Sequence, residues 1–236
     1  MSAVVKVAVI TGASQGIGAG LVSAFLERGF RIVANSRAIP PSDHPDIHAV
    51  PGNIGDPEVA ERVIREAVER FGRVDTLVNN AGVFVPKPFV EYTALDYANV
   101  LTVNLHGFFY VTQAAVRQML AQESGHIVSI TTTLVEHPVA GIPSVLTSLT
   151  KGGVTSATKS LAIEYATRGI RANAVSPGVI QTPMHERSEW GVLAALHPVH
   201  RMGEIKDIVD AVMYLENATF VTGEILHVDG GQSAGH

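Results

Sequence analysis

Short β-branched segments alternate with segments of helical periodicity along nearly the whole chain. "VVKVAVI" (4–10) and "HIVSIT" (126–131) are typical of buried strands. "PEVAERVIREAVERFG" (57–72) is typical of an amphipathic helix. Its start is indicated by the proline at its first position and by Asp56 before it, which is a good N-cap. Alternating strands and helices predict a parallel sheet with helices on both faces, in one doubly wound α/β domain over residues 1–236 with about seven strands. Strands are also expected over 31–36, 47–50, 75–82, 170–178 and 224–231, and helices over 17–29, 93–121, 145–168 and 204–216.

Composition and charge argue against several classes of function. The 236 residues carry a formal net charge of −5 and no basic run, which argues against nucleic acid as a partner. Cysteine is absent, so the chain has neither a disulfide framework nor a thiolate site. The isolated "HPVH" (197–200) is expected to be a loop and no metal site. No apolar run is long enough to span a membrane, and the N-terminal segment lacks the pattern of a signal peptide, so we expect a cytoplasmic protein.

The segment "TGASQGIG" (11–18) is the first motif that carries chemistry. It follows a strand and opens a helix, and Gly12, Gly16 and Gly18 give the spacing G-x-x-x-G-x-G. Glycines allow a sharp turn and a close approach of the backbone to a pyrophosphate. The helix N-terminus then offers free N–H groups and the positive end of its dipole to the phosphates. Taken alone, the segment could equally be an ordinary glycine-rich turn.

Further motifs lie where other strands end. "NNAG" (79–82) and "SPG" (176–178) each follow a predicted strand, and nucleotides bind outside the carboxyl ends of strands in such sheets. Together with Asn104 and Lys151, in this order, the motifs resemble the short-chain dehydrogenase/reductase family over nearly the whole chain. The resemblance implies a Rossmann fold, a nicotinamide dinucleotide cofactor, and hydride transfer between a carbonyl compound and a secondary alcohol.

The resemblance also implies which residues contact the cofactor. An acidic residue usually occupies the place of Asn53 in the family, so this chain keeps the hydrogen-bond acceptor there and loses the charge. The implied contacts are Gly12, Ser14, Gln15, Gly16, Ile17 and Gly18 at the phosphates; Asn53 and Ile54 at the adenine; Asn80, Ala81 and Gly82 at the adenosine ribose; Lys151 at the nicotinamide ribose; and Pro177, Gly178, Val179 and Thr182 at the carboxamide.

The end of the second predicted strand, "ANSR", bears on the choice of cofactor. An acidic residue there would bind the ribose 2′-hydroxyl and repel a 2′-phosphate, and the segment contains none. Ser36 and Arg37 stand there instead, and the guanidinium suits a phosphate. We therefore expect a preference for NADP(H), with NAD(H) also possible. A solvated arginine at a strand end is the alternative interpretation.

The catalytic positions depart from the family at one place. Asn104 matches the family's asparagine and Lys151 its lysine, but Thr147 stands four residues before that lysine, where the family has its acid/base tyrosine. No tyrosine lies between positions 111 and 164, so a small shift of register does not restore one. An aliphatic hydroxyl could relay a proton but does not titrate in a useful range.

The family's substrate-binding serine is matched by a threonine. The usual spacing back from position 147 leads to Leu134, which cannot hydrogen-bond through its side chain. A two-residue insertion in the loop 133–146 places Thr132 there instead. Thr131 and Thr133 remain possible.

Two functional hypotheses follow. The first is an oxidoreductase whose proton comes from His137 or Glu136 in the inserted loop, from a water held by Thr147 and Lys151, or from Lys151 itself. The second is a nucleotide-binding homologue that has lost catalysis and serves as a sensor or partner subunit. The retained Asn104 and Lys151 favour the first hypothesis, although Lys151 would also be kept to bind the ribose. The missing tyrosine favours the second.

The remaining expectations concern the substrate and the assembly. Segment 183–203 should form a short lid, and its apolar residues Trp190, Leu193 and Leu196 indicate a partly apolar pocket for a small-molecule substrate. By resemblance, the long helix and the helix that carries Lys151 form the contacts of a homodimer or homotetramer. His106 and Tyr110 on the long helix are expected to be packing or interface residues.

Overall fold

A single parallel sheet organises the chain. The computed structural model describes residues 4–186, 188 and 190–235. Within these residues, seven strands form one sheet in the order β3-β2-β1-β4-β5-β6-β7, and every neighbouring pair is parallel. The expected doubly wound Rossmann-like topology is thereby confirmed. The strands are β1 (Val7–Thr11), β2 (Arg31–Ser36), β3 (Ile47–Pro51), β4 (Thr76–Asn79), β5 (Gly125–Ile130), β6 (Ile170–Pro177) and β7 (Ile225–Val228).

Helices cover both faces of the sheet. They are α1 (Gly16–Glu27), α2 (Pro57–Phe71), α3 (Ala94–Leu101), α4 (Gly107–Gln122), α5 (Val145–Tyr165), α6 (Trp190–Ala194) and α7 (Ile205–Asn217). One apolar core contains Phe25 of α1, Val212 of α7 and Ile10 of β1. A second core contains Met119 of α4, together with Val9 of β1. Successive residues of β1 thus face opposite layers, which is why Val7 to Ile10 are all apolar and the whole strand is buried.

The second helix shows how closely local sequence dictates structure. Asp56 caps α2 by accepting a hydrogen bond from the Glu58 amide at 2.9 Å, and Pro57 occupies the first turn. Gly72 ends the helix in the left-handed conformation with φ 83°. The expected helix over 57–72 is therefore confirmed to within a residue.

The long helical stretch expected over 93–121 is confirmed, since the chain is helical from Ala94 to Gln122, with one wider turn in its middle. It is divided into α3 and α4 by a π-helical turn at Thr102–His106. Asn104 lies in this wider turn, and its side chain bonds the main chain of Val83 across the gap to the β4 end. The smaller differences are at element ends: the first strand begins at Val7 and not at position 4, and the strands expected over 75–82 and 224–231 are only four residues long.

Candidate active site

One large cavity opens where the parallel strands end. Its volume is about 710 Å³, within the range of small-molecule and cofactor sites. Segments that follow β1, β2, β4, β5 and β6 all contribute to its walls. The expected site residues that line it are Gly12, Ser14, Gln15, Gly16, Ile17, Ser36, Arg37, Asn53, Ile54, Asn80, Ala81, Gly82, Thr132, Thr147, Lys151, Pro177, Gly178, Val179 and Thr182.

Two of the expected residues do not line this cavity. A Cβ atom at Gly18 would lie 2.2 Å from the carbonyl oxygen of Gly12, so its missing side chain lets α1 pack against the turn. Asn104 is buried, with its amide bonded to both main-chain groups of Val83 at 2.9 and 3.1 Å and to Thr150 Oγ1 at 3.2 Å. Both residues support the site from behind its surface.

The glycine-rich turn has the geometry of an anion cradle. Gly12 and Gly16 have φ values of +65° and +57°, which L side chains rarely adopt. A Cβ at Gly12 would lie 2.9 Å from Ala81 Cα, and one at Gly16 would lie 3.4 Å from Thr182 Cγ2. Helix α1 begins at Gly16, and the Gln15 side chain makes no capping hydrogen bond to it. The first amides of α1 therefore face a space in which an anion can take the place of a cap.

The end of β4 holds this turn in position. Asn80 Nδ2 donates to the carbonyl oxygens of Thr11 and Gly12 at 2.9 and 3.1 Å. The amides of Asn80 and Ala81 donate in return to Thr11 Oγ1, both at 3.0 Å. Asn80 thus joins the β1 and β4 ends, and it fixes the approach of "NNAG" to the glycine-rich turn.

The ends of β2 and β3 form the outer part of the cavity. Arg37 is exposed at the cavity wall immediately after β2. The buried Ser36 Oγ makes no hydrogen bond within the described part of the chain. Asn53 accepts a hydrogen bond from the Gly55 amide at 3.1 Å, and its backbone and Ile54 form the adjoining wall. No carboxylate lines this part of the cavity among the described residues.

Lys151 lies at the inner end of the cavity. Its Nζ donates to the carbonyl oxygen of Ile130 at 2.6 Å. A Cβ at Gly82 would lie 3.3 Å from Nζ, so the bare glycine allows the ammonium to approach the β4 end. Burial lowers the pKa of Lys151 to about 8, because the charged form loses its hydration. The ammonium can therefore lose a proton near neutral pH.

Thr147 has an unusual hydroxyl for a buried helical threonine. The residue is 5% exposed and lines the cavity, and its Oγ1 makes no hydrogen bond within the described residues. The other buried threonines of α5, Thr150, Thr155 and Thr158, all donate to carbonyl oxygens of the preceding turn. Thr147 lies in the first turn of α5, with little helix behind it to accept such a bond. The Oγ1 atom is itself almost inaccessible to solvent, and its hydroxyl proton is unpaired among the described residues.

The three threonines that follow β5 differ in the hydrogen bonds of their hydroxyl groups. Thr131 Oγ1 donates to the carbonyl oxygen of Val175 at 3.1 Å, and Thr133 Oγ1 donates to Asp229 at 3.0 Å. Thr132 Oγ1 accepts a hydrogen bond from the Leu134 amide at 3.3 Å. Only Thr132 of the three has no acceptor for its hydroxyl proton among these bonds. The geometry therefore favours Thr132 as the one that presents a hydroxyl to a ligand.

The expected proton donors of the inserted loop lie elsewhere. Glu136 is exposed and lies 2.9 Å from His227 Nε2, and neither Glu136 nor His137 lines the cavity. The ionisable side chains that do line it, within the described residues, are Arg37, Lys151 and His185. None of the five tyrosines does so.

The expected lid contributes to the apolar side of the cavity. Of its residues, Pro183, Met184, His185 and Leu193 line the cavity, whereas Trp190 and Leu196 do not. Arg187 and Glu189, which also belong to the expected lid, lie outside the described residues. The facing apolar wall comes from Phe84, Pro86, Leu134, Ile142 and Pro143.

His197 supports the site from a position that its sequence motif does not indicate. The residue lies in a loop, as expected of "HPVH", but it is 2% exposed and its Nε2 accepts a hydrogen bond from the Val179 amide at 3.0 Å. A Cβ at Gly178 would lie 2.7 Å from that nitrogen. His197 therefore supports the segment after β6 from below. No local pattern announces this contact, because it joins residues 18 positions apart.

Other expectations concern metals, membranes and the long helix. No cluster of His, Cys, Asp or Glu that could hold a metal ion occurs among residues 4–186, 188 and 190–235. No helix in that part of the chain is long and apolar enough to cross a membrane. His106 and Tyr110 pack against one another at the start of α4, with ring centroids 5.9 Å apart.

The chain is similar to known proteins over nearly its whole length. Residues 12–233 match a family model described as enoyl-(acyl carrier protein) reductase. A 3-oxoacyl-(acyl-carrier-protein) reductase of Thermotoga maritima is 34% identical over 240 residues, covering 96% of this chain and 97% of that protein. A glucose 1-dehydrogenase of Gluconobacter oxydans is 33% identical over 247 residues, covering 96% and 91%. The solved structure of ElxO with NADP bound superimposes with a TM-score of 0.91 at 28% identity, covering 98% and 99% of the two chains.

Proposed function

The chain belongs to the short-chain dehydrogenase/reductase family, and we propose that it is an NADP(H)-dependent oxidoreductase that interconverts a carbonyl compound and a secondary alcohol. The observation that carries the proposal is the continuity of one cavity. It runs from the glycine-rich turn at Gly12 and Gly16 to the side chains of Thr147 and Lys151. A dinucleotide and a small substrate can therefore meet inside it.

The residues of the cavity fit a dinucleotide. Side chains at Gly12 and Gly16 would fill the cradle at the start of α1, and their absence leaves its amides open to a pyrophosphate. Arg37 supplies a cation where a 2′-phosphate would lie, which supports NADP(H) over NAD(H) while leaving NAD(H) possible. The segment from Pro177 to Thr182 would hold the nicotinamide carboxamide. When bound, the cofactor supplies or accepts the hydride.

The chain's own residues hold the reacting oxygen. Thr147 and Thr132 line the cavity, and each has a hydroxyl proton that the described hydrogen bonds leave available. Two such donors can bind the oxygen of a carbonyl group as negative charge develops on it. Thr147 occupies the family's tyrosine position, but with a hydroxyl that holds the oxygen and does not titrate.

The apolar wall narrows the substrate class. Phe84, Leu134, Ile142, Met184 and Leu193 surround the part of the cavity beyond the threonines. Among the described residues no carboxylate lines it. We infer a neutral or weakly polar carbonyl compound with an apolar body, and no preference for a cationic substrate.

A second function is favoured by one specific observation. Thr147 replaces the residue that the family uses as its acid, and none of the five tyrosines lines the cavity. A homologue that binds the nucleotide and serves as a sensor or partner subunit would need no acid. In that case Lys151 would be retained to bind the nicotinamide ribose.

Parallel measurements of binding and turnover separate the two functions. NADPH binding is measured by titration, and NADPH consumption is followed by absorbance with a panel of apolar ketones and aldehydes. An enzyme binds the cofactor and oxidises it in the presence of at least one carbonyl. Tight binding without consumption across the panel would leave the sensor or partner-subunit function.

We also infer that the protein is a homodimer or homotetramer. Phe109 on α4 and Val145 and Leu149 on α5 have 56%, 50% and 57% of their surfaces exposed. Exposed apolar side chains on adjacent long helices support an interface between copies of the chain. Light scattering on the wild type and on Leu149→Glu tests this: the wild type should have a multiple of the 25.0 kDa chain mass, and the variant should dissociate. A monomeric wild type would contradict the inference.

A further inference from the structure

We propose that the ammonium group of Lys151 is the acid that protonates the substrate oxygen, while the hydroxyl of Thr147 holds that oxygen in place. The proposal rests on the proposed function and names the proton source that the family's tyrosine would otherwise supply. Lys151 would thus be a catalytic residue in this chain as well as a ligand of the cofactor.

The walls of the cavity leave few alternatives. The ionisable groups among its described lining residues are Arg37, His185 and Lys151. A guanidinium is not deprotonated in proteins, so Arg37 cannot be the acid. His185 lies next to Met184 in the lid segment and also lines the cavity, so the His185→Gln variant below tests it as the alternative acid. Lys151 lies at the inner end, beside Ile130 and Gly82.

The position of Thr147 favours Lys151 as the proton donor. The two residues are four apart in α5 and therefore share one face of the helix. Both line the cavity, and the Thr147 hydroxyl has no other partner among the described residues. An oxygen bound by Thr147 is consequently held on the side of α5 from which the ammonium also enters the cavity. Threonine is much smaller than tyrosine, so no ring separates the two groups.

The surroundings of Lys151 suit an acid. Within the described residues its Nζ has one hydrogen-bond acceptor, the carbonyl oxygen of Ile130 at 2.6 Å, although an ammonium has three protons to donate. Burial alone lowers its pKa to about 8, and no carboxylate opposes that effect. Among the described residues, the other ionisable side chains on the cavity wall are Arg37 and His185. A proton can therefore leave without breaking an ion pair.

A small second cavity provides a route for the proton to return. Its volume is about 10 Å³, which is room for about one water molecule. It is lined by Lys151 together with Asn104 and Thr11. Water that reaches this cavity can reprotonate the amine after each turnover.

The step balances in atoms and charge. In reduction, the hydride of NADPH forms a C–H bond at the carbonyl carbon, and the electron pair of the C=O π bond moves to oxygen. A proton leaves the Lys151 ammonium and forms the O–H bond of the alcohol. The products are the alcohol, NADP⁺ and a neutral amine, which then takes a proton from water.

The pH dependence of turnover in the wild type and in two variants tests the proposal. For the best carbonyl substrate, kcat/KM for reduction should be constant at neutral pH and should fall tenfold per pH unit above a pH of about 8. Oxidation of the corresponding alcohol should rise through the same range. Lys151→Arg keeps a cation for the cofactor but cannot release a proton, so NADPH should still bind while turnover falls about 10²–10⁴-fold.

His185→Gln is the matched control. It removes the other ionisable group that a proton could come from, and the pH profile should keep its inflection near 8. The proposal is overturned if the wild-type profile is flat from pH 6 to 10, if Lys151→Arg turns over like the wild type, or if His185→Gln removes the inflection. If Lys151→Arg does not fold, the wild-type and His185→Gln profiles alone decide. A wild type that binds NADPH and reduces no carbonyl contradicts the proposed function itself, which is a separate outcome.

Discussion

The two ends of the cavity are built from different parts of the chain. The end that we propose as the nucleotide end comprises the turn at residues 12–18 with Asn80, and its surfaces are main-chain amides and glycines held by hydrogen bonds of 2.9 to 3.1 Å. The end that we propose as the catalytic end comprises Thr132, Thr147 and Lys151, and its chemistry would lie in three side chains. A site made from the main chain cannot change without changing the fold. A site made from side chains can lose its acid and leave the fold intact.

We infer that the catalytic end is the one that departs from the family in this chain. The loop after β5 brings Leu134, Ile142 and Pro143 to the cavity wall, next to the small side chain of Thr147. The nucleotide end keeps its cradle. This contrast gives four predictions, from the largest expected effect to the smallest.

Replacing Gly16 with valine should abolish cofactor binding. The new side chain would require an unfavourable φ of +57° and would meet Thr182 across the cradle. We expect NADPH affinity to fall more than about a thousandfold, corresponding to at least about 4 kcal/mol, while the protein stays folded. Fluorescence titration measures the affinity, and circular dichroism checks the fold.

Gly29→Val is the matched control for backbone strain. Gly29 also has a positive φ, +76°, but a Cβ there meets nothing within 4 Å. This variant should lose stability and still bind NADPH. Retained NADPH binding in Gly16→Val would show that the nucleotide binds elsewhere. The proposed difference between the two ends of the cavity would then be wrong.

Restoring a tyrosine at position 147 should improve catalysis if the catalytic end differs from that of the family only in its acid. In Thr147→Tyr the Lys151 ammonium would lower the pKa of the new phenol, and turnover of simple ketones should rise by up to about a hundredfold. Thr147→Phe has the same bulk without the hydroxyl and should show no gain. Steady-state rates with NADPH are compared for both. Equal rates in the two variants would mean that proton donation does not limit the wild type.

Removing the cation near β2 should erase cofactor preference. In Arg37→Ala the 2′-phosphate loses a charged hydrogen bond worth about 1.5–3 kcal/mol, so the advantage of NADPH over NADH should shrink about ten- to a hundredfold. NADH affinity should change little, which makes it the internal control. Titration calorimetry with both cofactors provides the comparison. Equal wild-type affinities for NADPH and NADH would refute the role of Arg37.

The His197 side chain supports the segment after β6, and the loss of this side chain should have a smaller effect than the changes above. His197→Leu leaves the buried Val179 amide without its acceptor, which should cost about 1–3 kcal/mol of unfolding free energy and weaken NADPH binding up to about tenfold. His197→Gln can present an amide oxygen to the same N–H and should recover part of both losses. Denaturant unfolding and NADPH titration are the measurements. Identical behaviour of the Leu and Gln variants would argue against the hydrogen bond.

The sequence predicts some features of this molecule better than others, for physical reasons. Strands, the capped helix α2 and the glycine-rich turn follow from local patterns, because each depends on neighbouring residues. The π turn at Asn104 and the buried contact from His197 to Val179 depend on partners 21 and 18 positions away, which no local pattern specifies. Thr132 required an assumed insertion, and only the hydrogen bonds of Thr131 and Thr133 separate it from its neighbours.

Transfer of a labelled hydride tests the central claim most directly. The wild type is incubated with NADPH carrying deuterium at the transferable position and with a panel of apolar ketones, and the products are examined by mass spectrometry. We predict an alcohol with one deuterium on the carbinol carbon, formed by the wild type and not by Gly16→Val. Tight NADPH binding without any deuterated alcohol would contradict the account and leave a nucleotide-binding protein without hydride transfer.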